Sequence, residues 1–195
     1  YFATAEPMAD LTAIRVARRR HILWLIEHYP GSDVMMLPES CIDPTGHSLA
    51  DPEGYGQAKQ LWLRQIDRHK DDVAVLVHAA RFFEVSDKTL ALTSLEKALQ
   101  LAPHDRDVAS RLGYTYAVSA LGITRINKNG LPLSADPTAA AGDAAATAIK
   151  ALQASSNPVV VSVAGAMRAQ YGVIASAYTA GAIDREGLAE ELLLR

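Results

Sequence analysis

Six histidines and a single cysteine are the side chains in this 195-residue chain best equipped for chemistry. His21 and His28 stand two helical turns apart, about 10 Å, too far to share one metal ion. Cys41, Asp43, His47 and Asp51 share one stretch rich in proline and glycine. Such a set can hold a metal ion or form a cysteine–histidine pair, so one reading is a metal-dependent or cysteine-based enzyme module on that loop. Its spacing matches no defined site, and an isolated cysteine is usually inert packing. No catalytic residue, metal ligand or cofactor is therefore expected. His78 reads as a core or groove histidine with a hydrogen-bond partner. The sequence contains no glycine-rich phosphate loop, nucleophile elbow or paired-histidine helix motif.

Arg15, Arg18, Arg19 and Arg20 form a basic patch, and helical spacing puts Arg15, Arg18 and Arg19 on one face. A solvated face, or ion pairs with acidic neighbours, accounts for it better than a nucleic-acid site does. The net charge is −3, which does not favour nucleic acid as a partner. Apolar residues make up 49% and charged residues 21%, a folded and soluble composition. One cysteine excludes a disulfide within the chain. The longest apolar stretch, 158–183, is interrupted by Arg168 and Gln170, so it reads as a buried amphipathic helix and not a membrane span. The chain begins Tyr1-Phe2-Ala3, and its compartment stays open, cytoplasmic or exported.

The elements that must position these residues are helical. A first helix is expected over 10–29, where Leu11, Ile14, Ile22, Leu25, Ile26 and Tyr29 recur near helical spacing. Residues 30–52 carry four prolines and two glycines, which predicts a long loop that is either functional or mobile. Asp51-Pro52-Glu53 then starts a second helix with a cap, a proline at the first position and an acid against the dipole. Helices follow over about 72–85, 87–101 and 105–123, with connections short enough to make neighbours antiparallel. A second loop is expected over 124–136. Asp136-Pro137 and Asn157-Pro158 begin two more helices, and a short one closes the chain at about 184–194.

Lys97-Ala98-Leu99-Gln100 recurs as Lys150-Ala151-Leu152-Gln153, and Ala58, Trp62, Gln65 and Lys70 precede Ala91, Leu95, Ala98 and Pro103 by a similar pattern about 33 positions earlier. Ala79, Phe82, Ala91, Leu95, Ala98 and Pro103, then Leu112, Gly113 and Tyr116, resemble the tetratricopeptide repeat family. The small residues let helix backbones approach closely and the large ones fill the space between. The expected fold class is all-α: antiparallel helix hairpins in a right-handed solenoid of about three irregular repeats. It forms one domain over 1–195, with regular repeats at 53–123 and a degenerate repeat plus final helix at 137–195. His78 departs from the family pattern, which prefers a large aliphatic residue there.

The resemblance implies a protein–protein or peptide-binding scaffold, not an enzyme. The first helix of each repeat would line a concave groove, offering Val73, Leu76, Ala80 and Phe83, then Asp107, Ser110, Tyr114 and Ala117. The helix after Asn157 would add Val160, Val163, Met167 and Gln170. The family's carboxylate clamp for chaperone tails is absent, because Asn127, Asn129 and Asn157 all fall in loops. Gly165 and Gly172, beside an alanine-rich helix, raise a further reading: a structural domain forming a homodimer through the sixth and seventh helices.

Overall fold

A computed structural model describes residues 11–42, 51–126, 132–135 and 143–179. In chain order the α-helices are α1 (Leu11–His28), α2 (Pro52–Arg68), α3 (Val73–Phe83), α4 (Lys88–Leu101), α5 (Arg106–Ala120), α6 (Asp143–Ala154) and α7 (Pro158–Thr179). The chain is thus helical in character. The final helix expected at 184–194 lies outside the described residues.

Short polar side chains start these helices by accepting N–H groups that have no partner in the first turn. Asp51 accepts from Gly54 N at 3.0 Å, and Asp72 from Ala74 N at 2.9 Å. Asp105 accepts from Asp107 N at 2.9 Å, and Asn157 from Val159 N at 3.0 Å. The Asn157 cap also decides Val159-Val160-Val161, a run that β-propensity alone would make a strand. α4 differs from these four: Asp87 sits at its start but makes no side-chain cap.

Two regions expected as loops contain ordered structure. Asp33–Met36 and Pro38–Ser40 form 3-10 turns within the long loop. Ile123–Ile126 pairs antiparallel with Pro132–Ala135, matching Ile123 to Ala135 and Ile126 to Pro132. The ladder corrects the loop expected over 124–136. Its signal was present in β-branched Ile123, Thr124 and Ile126 ahead of Asn129-Gly130, a hairpin-turn dipeptide. α5 accordingly stops at Ala120. Gly122 takes a φ of 62°, a left-handed conformation that glycine adopts without steric cost, and turns the chain into the strand.

The chain divides into two compact units, residues 1–108 and 109–195. In the first, α1 packs on α2, α2 on α3, and α3 most extensively on α4. The connection 84–87 is short enough to make α3 and α4 antiparallel. Val75, Leu76, Ala79, Ala80 and Phe83 are each at most 2% exposed, so this face of α3 is enclosed. Burying a side chain the size of Leu76 or Phe83 contributes about 2–3 kcal/mol. Leu76 meets Ala98 and Val108 in one cluster. Tyr55 stacks on Phe82 with ring centroids 4.9 Å apart, and Phe82 meets Phe83 edge-on.

The second unit packs Ala117 and Val118 of α5 against Ala164 and Met167 of α7, with Tyr114, Leu121, Leu152 and Tyr171 around them. Here the backbones themselves touch. A Cβ placed on Gly113 would lie 2.5 Å from the Val160 carbonyl oxygen. Gly113 therefore permits a helix crossing that no other residue would.

Candidate functional site

The residues expected to line a binding surface divide by burial. Leu76, Ala80 and Phe83 of α3 are between 0% and 2% exposed and form packing, as does Ala117 at 3%. Val73 on α3 is partly covered, and Asp107 near the start of α5 is exposed. Ser110 and Tyr114, further along α5, are also partly covered. On α7, Val160 and Met167 are buried, while Val163 and Gln170 are partly covered. Val73, Asp107, Ser110 and Tyr114 are thus the members of the main set with surface to offer.

The Cys41 group is only partly described. Asp43 and His47 lie outside the described residues, and Asp51 is engaged by Arg19 at 2.8 Å. Among the described residues no three His, Cys, Asp or Glu side chains gather to hold a metal ion. The described part of the loop is instead a fastened strap. His78 Nδ1 donates to Pro30 O at 2.8 Å, Arg81 donates to Met36 O, and Arg18 Nη2 donates to Cys41 O at 2.9 Å. Ser40 Oγ lies 2.7 Å from Leu37 O, and Met35 is buried at 5% exposure. A segment with little regular structure has carbonyl groups to satisfy, and these polar side chains satisfy several of them. His78 is 4% exposed, so it is a core histidine with a hydrogen-bond partner.

A second polar cluster explains the missing cap on α4. Asp87 receives the Tyr55 hydroxyl on one oxygen and Lys59 Nζ at 2.9 Å on the other. Burial, then the Asp87 hydrogen bond and charge, hold the Tyr55 hydroxyl well above the ordinary tyrosine range. Tyr55 is therefore a neutral donor tying α2 to the start of α4. Burial also lowers the Lys88 ammonium, with the Glu84 charge opposing the change.

The arginine patch on α1 separates into distinct roles. Arg19 makes ion pairs with Asp51 and Glu53, and its hydrogen bond to Glu53 holds the guanidinium above its usual value. Arg18 serves the strap. Arg15 and Arg20 are exposed and make no ion pair among the described residues.

Sequence reasoning missed the aromatic residues beside this patch. Trp24 is 49% exposed and Tyr29 55%, although Tyr29 recurs near helical spacing with Ile22 and Ile26. α1 ends at His28, so Tyr29 leaves the helical phase that buries Ile22 and Ile26. His28 stacks on Trp24 with centroids 4.9 Å apart and planes 21° apart, and its Nδ1 is bonded to Trp24 O at 2.9 Å. Tyr29 closes on Trp24 at 5.3 Å. The available signal was helical phase: Trp24 falls opposite Ile22 and Ile26 and one turn from both Arg20 and His28.

No helix among the described residues is long and apolar enough to cross a membrane. Comparison with family models, curated proteins and solved structures finds no match, so the likeness to tetratricopeptide repeats rests on the residues quoted above.

Proposed function

We propose that this chain is a non-enzymatic scaffold that binds a protein or peptide segment on the helix faces of a tetratricopeptide-like array. The observation that carries the reading is the α3–α4 hairpin. Ala79, Ala91 and Ala98 are wholly buried, with Leu95 at 3% exposure between the two alanines of α4. Small residues at those places allow close helix approach, the requirement that gives the repeat family its pattern. The starts of α3 and α5, Val73 and Arg106, are 33 positions apart, near the family's period of about 34.

The binding test belongs on the covered-but-accessible positions. Phe83→Ala reads stability, because Phe83 is completely buried. Tyr114→Ala and Ser110→Arg read a surface. Affinity capture from the native extract, quantified against wild type, is expected to lose a specific partner by about tenfold or more with each variant. Equal capture by both variants at unchanged helicity overturns the assignment of these residues.

A further inference from the structure

We infer that the exposed face of α1 seats an acidic amphipathic helix from a partner protein. This goes beyond the scaffold reading and uses none of the residues on α3, α5 and α7, so the two can fail separately.

Charge is the first argument. α1 holds four arginines and one acid, Glu27, whereas the whole chain is −3. Among the described residues, Arg19 alone of the four is balanced by carboxylates, from Asp51 and Glu53. Arg18 Nη2 donates to the carbonyl oxygens of Cys41 and Glu39, which accept its hydrogens and leave its charge in place. Arg15 and Arg20 are exposed without an ion pair among the described residues. A positive helix in a negative chain favours an acidic partner and disfavours a second copy of itself on this face.

The second argument is a row of side chains. Val16, Arg20, Trp24 and His28 follow at four-residue intervals and occupy one strip of the helix. Val16 is 55% exposed and Trp24 49%. Trp24 is already ordered by stacking on His28 and contact with Tyr29. An anchor held in place before binding loses less rotamer freedom on binding. Tryptophan, tyrosine and arginine are the residue types that dominate interface energetics. An apolar stripe on a partner helix would cover Val16 and Trp24 while its flanking carboxylates meet Arg20 and Arg15. α1 spans 18 residues, so it presents an edge of about 27 Å to such a helix. Nucleic acid fits less well: few unpaired cations face outward, and Glu27 is exposed among them.

The test uses the full chain and a synthetic helix of about 18 residues, with leucine on one face and glutamate on the other. A second peptide replaces every glutamate with lysine. Trp62 is buried and Trp24 half exposed, so a blue shift and loss of acrylamide quenching report Trp24. The acidic peptide is expected to bind with that shift, and the lysine peptide is not. By peptide anisotropy, Trp24→Ala and Arg20→Glu should each weaken binding by about tenfold, and added salt should weaken it further. Both substitutions are at exposed sites, and circular dichroism checks the fold. Arg20→Glu should also gain measurable affinity for the lysine peptide. The inference is overturned if neither variant changes acidic-peptide binding, or if the lysine peptide binds wild type equally well. It is also overturned if a thymidine oligonucleotide or phosphatidylserine vesicles bind at least as tightly with the same dependence on Trp24 and Arg20.

Discussion

Residues 51–108 pack around Trp62, Phe83 and the stacked Tyr55–Phe82 pair, whereas the described helices of the second unit pack around Gly113, Ala145, Ala148 and Ala164. In the first region large side chains fill the space between helices, and a polar layer fastens their surroundings. Asp87 takes Tyr55 and Lys59, and His78, Arg81 and Arg18 take carbonyls of the strap. In the second, Gly113 lets two helix backbones meet directly, beside larger side chains such as Val118 and Met167. The difference teaches which change each region resists. The first should suffer most from removing side-chain atoms, and the second from adding them.

The largest expected effect tests the first half of that statement. Phe83→Ala empties a completely buried site on a helix face enclosed by its neighbours. It should cost about 3–5 kcal/mol by urea denaturation. A loss below about 1 kcal/mol would show that α3 can collapse into the space and that filling is not what holds this region.

The second half is tested by a pair of glycines. Gly113→Ala drives a methyl group into the Val160 carbonyl, a backbone atom that cannot rotate away. Strain of this kind costs about 1–3 kcal/mol. Gly165→Ala meets nothing within 4 Å among the described residues, so it should stabilise α7 by up to about 1 kcal/mol through helix propensity. Thermal denaturation should therefore move in opposite directions for the two, and a shared sign breaks the comparison. The small-residue signal has its close neighbour at Gly113 and none among the described residues at Gly165, because sequence shows that a glycine can accept a neighbour and not whether one is there.

The same limit runs through the rest of the molecule. Helix starts were readable because Asp51, Asp72, Asp105 and Asn157 act on N–H groups two or three residues away. The strap was visible only as a density of prolines. Its fastenings join residues 45 and 48 positions apart, as in Arg81 to Met36 and His78 to Pro30, and no local pattern encodes them. The candidate surface on α1 was half legible. The arginines stood out by type, but which of them remain outward depends on Asp51, Glu53 and the strap carbonyls. Replacing Arg81 with methionine keeps most of the stem and removes the donor. The strap should then be cleaved faster within 30–42 in limited proteolysis, with a stability loss of about 1–2 kcal/mol. Unchanged cleavage would mean that Met35 burial and the His78 bond suffice to hold it.

The smallest effect separates the polar layer of the first region from its apolar filling. Tyr55→Phe keeps the ring on Phe82 and removes the hydroxyl from Asp87, a change of about 1 kcal/mol at neutral pH. Its signature is in alkali. An unfolded tyrosine loses its proton near pH 10, while folded Tyr55 keeps it to well above that value. Above about pH 10 the folded state therefore binds more protons than the unfolded state, and stability falls as pH rises. The other tyrosines titrate on unfolding too, and Lys88 acts in the opposite direction because its folded value is lowered. Both contributions are common to wild type and variant. The difference between their urea midpoints should thus shrink from about pH 9 to pH 11, as wild type loses an advantage that Tyr55→Phe never had. A constant difference across that range would place Tyr55 among the filling side chains and remove the hydroxyl from the polar layer.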